Sequence, residues 1–194
     1  RYNFTNVTFN VTDGYQTVNP INVTVTITEH SGTADYDGNE HVVTGYDVAI
    51  SNPLYTTNDF TFNGDSTIRG TNVGTYAMNL TSANFTNTND NFGTVTFEIV
   101  DGMLTINPID VTVTITEHSG TANYDGTEHV VTGYDVVISN PLYTINDFTF
   151  SGCDTARGTD VGTYAMNLTS ANFTNANDNF GTVTFEIVDG MLTI

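Results

Sequence analysis

Apolar and polar residues alternate with a period of two along several short segments of this chain. The clearest is 23–28, where Val23, Val25 and Ile27 alternate with three threonines. Because successive side chains of a strand point to opposite faces, this pattern predicts a strand with a buried face and a hydroxyl-bearing face. The same alternation places the following side chains on inward faces: Tyr46, Val48 and Ile50; Phe60 and Phe62; Tyr76, Met78 and Leu80; and Val95, Phe97 and Ile99.

Turn residues separate these segments. Asp37-Gly38 suits the left-handed backbone that tight turns need, one or two strands lie around Gly45, and Asn52-Pro53 ends a strand ladder. Short strands with turns at this spacing predict an all-β, sandwich-like fold. Before Asp101-Gly102 the alternating apolar residues occupy odd positions, and after it they occupy even positions. This change predicts a two-residue hairpin in preference to a bulge.

The chain repeats itself with a period of 88 residues. Residues 19–106 and 107–194 are identical at 77 of 88 positions, and residues 3–18 align with 91–106 in the same frame. Repeats of this kind indicate a tandem array. We therefore predict two domains, 19–106 and 107–194, arranged end to end. Residues 1–18 are predicted to be the C-terminal fragment of a preceding repeat, with 3–18 forming its last strands.

The linker between the repeats is only Asn107-Pro108. Proline fixes its own backbone angle and restricts the residue before it, so neighbouring repeats are expected to keep a preferred orientation. This favours a semi-rigid rod over flexibly joined beads. Because the chain has no lysine and one cysteine, Cys153, stiffness is expected from packing and hydrogen bonds, without covalent cross-links.

The segments 72–78 and 160–166 resemble the D-x-G-x-Y-x-C segment of immunoglobulin-like domains, in which the tyrosine bonds back to upstream backbone. Tyr76 and Tyr164 hold the tyrosine position, while Met78 and Met166 stand where that family has cysteine. The resemblance implies an Ig-like sandwich with a tyrosine corner and without the inter-sheet disulfide.

The net charge is −19, and the only cations are Arg1, Arg69 and Arg157. Nucleic-acid binding needs clustered basic residues, so this charge excludes a nucleic-acid partner. It keeps extended molecules soluble and mutually repelling, which we favour over the alternative that the acidic surface recruits divalent cations. No apolar run reaches the length of a membrane span, and none is expected in this segment.

Two groups of residues are candidates for metal chemistry. The Asn/Asp-rich segments 87–91 and 175–179 resemble a calcium-binding linker, but each holds a single carboxylate, and turn formation explains them better. The four histidines, His30, His41, His118 and His129, each follow a glutamate. Adjacent strand residues face opposite ways, so such a pair is not itself a site, and surface positions at strand ends are favoured. The sequence shows no catalytic constellation, so we predict no catalytic, cofactor or metal residues and no enzyme; calcium stays an open alternative.

The motifs Tyr36-Asp37-Gly38, Val73-Gly74-Thr75-Tyr76 and Asp101-Gly102, with their copies 88 residues later, resemble YDG/MBG-type tandem repeats of bacterial cell-surface, adhesin-like proteins. The resemblance covers the whole chain and implies a secreted, extracellular location on the bacterial cell surface. It implies a structural stalk or spacer of an adhesin or fibre that projects a distal binding region. The expected partners are neighbouring repeats and fibre neighbours. The alternative is a multivalent module that binds host glycan or mucin; exposed aromatic side chains in one groove would favour it, and buried aromatic side chains would favour the stalk.

Overall fold

The structure is a computed structural model that describes residues 3–194. Within that range it is all-β, as predicted, and the helical segments are three single turns of 3-10 helix at Thr57–Asp59, Ser82–Asn84 and Ser170–Asn172. The first repeat contains β1 (Ile21–Glu29), β2 (Gly32–Asp35), β3 (His41–Thr44), β4 (Tyr46–Ile50), β5 (Phe60–Phe62), β6 (Thr67–Gly70), β7 (Gly74–Ala77), β8 (Phe85–Asn87), β9 (Phe92–Val100) and β10 (Met103–Asn107). The second contains β11 (Ile109–Glu117), β12 (Gly120–Thr121), β13 (His129–Thr132), β14 (Tyr134–Ile138), β15 (Phe148–Phe150), β16 (Thr155–Gly158), β17 (Thr163–Ala165), β18 (Phe173–Asn175), β19 (Phe180–Val188) and β20 (Met191–Thr193).

The described chain forms two compact units whose limits differ from those of the repeats. The smaller unit combines Asp47–Gly64, Leu80–Val100 and the residues up to Thr28. The larger unit combines Glu29–Tyr46, Asp65–Asn79 and Asp101–Ile194, so it holds the whole second repeat together with part of the first. The domain limits expected from the sequence, 1–18, 19–106 and 107–194, stay a prediction.

The second repeat shows how the strands combine. One sheet has the order β14-β11-β19 and another has the order β12-β20-β17, while β13-β16 and β15-β18 form two-stranded sheets. The pairs β11–β19 and β12–β20 are parallel, so the sheets are mixed, unlike the antiparallel sheets of an immunoglobulin domain. The sheets do not close into a barrel.

The alternating apolar residues form the core, as their period predicts. Val111, Val113 and Ile115 of β11 are buried against aromatic side chains and against Leu192 of β20. The aromatic rings pack on one another, mostly edge to face; the rings of Phe148 and Tyr143 stack, with centroids 6.2 Å apart. In the smaller unit, β1 of the first repeat buries Val23, Val25 and Ile27 and pairs in parallel with β9.

The hairpin predicted at Asp101-Gly102 is wrong. Strand β9 belongs to the sheet β4-β1-β9, whereas β10 belongs to the sheet β2-β10-β7. The same holds for β19 and β20 around Gly190, where an added Cβ would overlap the carbonyl oxygens of Glu117 and His118. The Asp-Gly pair therefore carries the chain from one sheet to another. The phase changes because the two strands turn their apolar side chains inward from different sheets.

The strands predicted within residues 3–18 are also absent. These residues have no regular structure, and Phe4, Val7, Phe9 and Val11 are exposed. In the complete repeats the equivalent strands are held by pairing with β1, β2 and β7 or their copies. Residues 3–18 are paired with no such strand, so the alternation alone does not produce a sheet.

Candidate functional site

A buried carboxylate stands at the end of the first long strand of each repeat. Glu117, at the end of β11, is only 3% exposed. Its Oε1 accepts the backbone N–H of Leu168 at 2.7 Å, and its Oε2 accepts that of Gly190 at 2.8 Å. Glu29 is buried likewise and accepts the N–H of Gly102 at 2.8 Å. The carboxylates therefore satisfy backbone donors in loops that otherwise lack strand partners, which is a structural use of the charge.

Sequence reasoning did not identify these glutamates as buried. Glu117 precedes His118 and ends a strand, and charged residues in that position are usually exposed. A signal was present in the alternation: Glu117 continues the inward series of Val111, Val113 and Ile115 at the next position of the same parity.

The tyrosine corner is present in both repeats, as its motif implies. The Tyr76 hydroxyl donates to the carbonyl of Asn72 at 2.8 Å, and the Tyr164 hydroxyl donates to that of Asp160 at 3.0 Å. A Cβ on Gly158 would overlap the ring of Tyr164. The glycine is therefore needed for the tyrosine to lie flat against β16.

The histidines lie on strand ends and bond to local acceptors. His41 places Nε2 3.0 Å from Oδ1 of Asp37, and His129 places Nε2 3.1 Å from Oδ1 of Asp125. In each turn the aspartate also accepts a backbone N–H two residues on. The hydrogen bond from the backbone of Asn39 is the main cause that lowers the pKa of Asp37. These contacts stabilise the Asp-Gly turns, in which Gly38 has a φ of 79°.

Both ring nitrogens of His118 face acceptors. Nδ1 lies 2.9 Å from the carbonyl oxygen of Thr132, and Nε2 lies 3.3 Å from Oδ1 of Asp135. Both contacts are hydrogen bonds only when the imidazole is protonated on both nitrogens. The pKa of His118 is accordingly raised, with the Asp135 hydrogen bond as the largest cause.

The Asn/Asp-rich segments fold as turns held by their own side chains. In the second repeat, Oδ1 of Asn175 accepts the N–H of Asn177 at 3.0 Å, and Oδ1 of Asn177 accepts the N–H of Asn179 at 3.0 Å. The Asn177 amide also donates to Oδ1 of Asp147 at 2.8 Å. The side-chain oxygens of Asn175 and Asn177 are thus engaged in holding the turn. Across residues 3–194, no three His, Cys, Asp or Glu side chains are grouped as metal ligands.

One side chain of this segment has a second role. Asn179 reaches the first repeat, where its Oδ1 accepts the N–H of Val73 at 2.8 Å and its Nδ2 donates to Oδ1 of Asn72 at 3.1 Å. All three residues belong to the larger compact unit. In the sequence this segment lies within the second repeat, far from the linker. In the structure its last residue, Asn179, contacts the first repeat at the boundary between the two.

Apolar contacts accompany these hydrogen bonds. The ring of Tyr36 meets that of Phe180 edge-on, with centroids 5.7 Å apart. A Cβ placed on Gly38 would lie 3.3 Å from Cδ2 of Leu142. Two surfaces therefore meet at the boundary. We call Tyr36, Gly38, Asn72 and Val73 the tail surface of the first repeat, and Leu142, Asn179 and Phe180 the head surface of the second.

The linker is held on both sides by backbone hydrogen bonds. Only Pro108 separates β10 from β11. The carbonyl of Asn107 accepts the N–H of Tyr36 at 2.9 Å, and the N–H of Ile109 donates to the carbonyl of Asn179 at 3.4 Å. The peptide groups on both sides of the proline are therefore tied to the two surfaces that meet at the boundary.

Each repeat also carries an open groove. In the second repeat the groove lies between β18 and β19 and has a volume of about 730 Å³. The equivalent groove of the first repeat measures about 570 Å³. Serine, threonine and asparagine line both grooves together with two phenylalanines each. Phe85 and Phe173 are buried, and Phe97 and Phe185 are half-buried. Cys153 is exposed on a loop elsewhere.

Comparison with known proteins agrees with this fold and places the chain in a family. The family model of the MBG domain matches twice, over residues 23–108 and 111–194. The chain therefore belongs to the MBG domain family and is a tandem repeat of that domain, as its motifs indicated. No curated protein and no solved structure matched the chain. Among the described residues, no helix is long and apolar enough to cross a membrane.

Proposed function

We propose that this chain is a non-enzymatic, structural segment of a secreted bacterial surface protein, in which successive MBG domains form a stalk that projects a distal binding region. The observation that carries the proposal is the boundary between the repeats. A single proline separates their strands, and a tail surface meets a head surface beside it. A spacer needs this property, because contact between repeats resists bending at the linker.

The burial of the aromatic side chains supports the same function. Tyr55, Phe60, Phe85 and Phe92 are buried in the first repeat, and their equivalents are buried in the second. Their rings pack on one another, and Phe85, which lies at the base of the groove, is buried. Sugar-binding proteins commonly present an accessible aromatic face, so this arrangement favours a stalk.

The alternative function is multivalent binding of host glycan or mucin. The observation in its favour is the polar groove that recurs in both repeats, where serine, threonine and asparagine side chains could bond to hydroxyl groups. The stalk is preferred because none of the phenylalanines that line the grooves is exposed: Phe85 and Phe173 are buried, and Phe97 and Phe185 are half-buried.

A glycan array separates the two functions. We expect the folded chain to give no reproducible sugar signal above that of an unrelated acidic β-protein. A reproducible signal that disappears in the groove variant Thr86→Lys/Thr174→Lys, which changes both grooves, would contradict the spacer function and establish the alternative. Thr86 and Thr174 are exposed, so this variant should fold normally.

A further inference from the structure

The tail and head surfaces each occur twice in the chain, and within residues 3–194 one tail surface contacts one head surface. The second repeat carries a copy of the tail surface at Tyr124, Gly126, Asp160 and Val161, and the first repeat carries a copy of the head surface at Leu54, Asn91 and Phe92. The exposure of each side chain in the contacting surfaces can be compared with that of its copy in the other repeat.

The tail copies differ mainly in exposure. Val161 is 75% exposed and Tyr124 is 60% exposed, whereas Val73 and Tyr36 are half-buried. An added Cβ on Gly126 would meet no atom within 4 Å, in contrast to the contact of Gly38 with Leu142. The tail surface of the second repeat is therefore a bare copy of a surface that is covered in the first.

The head copies differ in the same direction. Leu54 is 73% exposed, whereas Leu142, which lies against Gly38, is 38% exposed. Asn91 is exposed while Asn179 is half-buried. The residues are identical in the two repeats, so the difference comes from the neighbour and not from the sequence.

The exposed tail surface of the second repeat offers the same hydrogen-bonding groups that the tail surface of the first repeat uses to bind a head surface. Val161 offers the backbone N–H that Val73 donates to an asparagine oxygen. Asp160 replaces Asn72, and its carboxylate can accept the amide N–H that Asn179 donates at the occupied boundary. A charged acceptor strengthens such a hydrogen bond, so the substitution keeps the site and improves its acceptor.

We propose that the tail surface of the second repeat is a docking site for the head surface of a further MBG repeat of the same sequence, which it binds as the first repeat binds the second. A head-to-tail contact of this kind uses two different surfaces, so it can be repeated from each copy to the next. The proposal rests on the proposed stalk function and specifies its partner: each repeat is bound by the next one.

The test uses the whole chain extended after Ile194 by another copy of residues 107–194, so that Asn-Pro again forms the linker. Amide hydrogen exchange is measured at Val161, with Val73 of the same molecule as the internal standard. One gained hydrogen bond corresponds to about a tenfold change in an equilibrium. We therefore expect exchange at Val161 to slow about tenfold on extension and to approach that of Val73, with the ring resonances of Tyr124 shifting in parallel.

The matched control carries Leu142→Ala and Asn179→Ala in the added copy only. The Asn179 side chain bonds across the boundary, and Leu142 lies on the surface, so the added copy should still fold. We expect Val161 to return to fast exchange in this control. Unchanged exchange at Val161 in the extended chain, while the core amides of the added copy are protected, overturns the proposal. Unchanged exchange at Val161 would contradict the docking proposal without any bearing on sugar binding. A positive glycan array would contradict the stalk function without changing the exchange rate at Val161.

Discussion

The buried carboxylate of each repeat allows a quantitative prediction. Replacing Glu117 by glutamine keeps the shape of the side chain but exchanges one acceptor oxygen for an NH2 group. One of the two backbone donors, that of Leu168 at 2.7 Å or that of Gly190 at 2.8 Å, would then face another donor. The variant loses a hydrogen bond to a charged group and leaves a buried N–H without an acceptor. Together these effects lower the free energy of unfolding by about 3 kcal/mol.

For a domain of this size, 1 kcal/mol changes the melting temperature by about 4–8 °C, so Glu117→Gln should lower it by about 15 °C. Thermal unfolding followed by circular dichroism and urea unfolding at neutral pH measure the change. The matched control is Glu128→Gln, whose exposed side chain pairs with Arg157 at 3.2 Å. An exposed pair of this kind contributes at most about 1 kcal/mol. If both variants melt within a few degrees of each other, the structural role assigned to Glu117 is wrong.

Three further predictions concern pH and metal. Burial, with the nearby Asp147 charge second, raises the pKa of Tyr143 to about 12. The folded state then holds the proton more tightly than the unfolded state, so stability should fall as the pH rises from about 10 to about 12, and Tyr143→Phe should flatten that part of the unfolding curve. Asp135→Asn should lower the pKa of His118, measured by proton NMR, while removal of a distant charge by Glu40→Gln should not. Chelation with EDTA should change the melting temperature by less than about 10 °C, or roughly 2 kcal/mol, and a larger fall would show that calcium is structural.

The alternation of apolar residues predicted the strands and their inward faces well, because burial of alternate side chains is a local property. Val23, Val25 and Ile27 are buried as expected. The turn at Asp37-Gly38 and the bond from Tyr76 to upstream backbone also follow from local chemistry. Such features need no knowledge of which strand lies beside which.

The partners of the strands could not be read in this way. A period of two identifies a face but not a neighbour, so β9 and β10 were assigned to one hairpin although they pair with different strands. For the same reason residues 3–18 carry the pattern of strands without forming them.

The boundary was only partly predictable. The short proline linker indicated contact between repeats, but the role of Asn179 depends on which loop of the first repeat comes near it. That residue lies 71 positions after Pro108 in the sequence, and nothing local marks it as different from Asn91. Only the different exposure of the two copies identifies the surface.

The central claim is that contact across the boundary holds neighbouring MBG domains together. Nitrogen-15 relaxation of the backbone amides tests it most directly, because two domains that move independently have different rotational diffusion. The account predicts that the amides of both repeats in the unmodified chain fit one diffusion tensor, and that Leu142→Ala with Asn179→Ala separates them into two. Independent tumbling of the two repeats in the unmodified chain would contradict it.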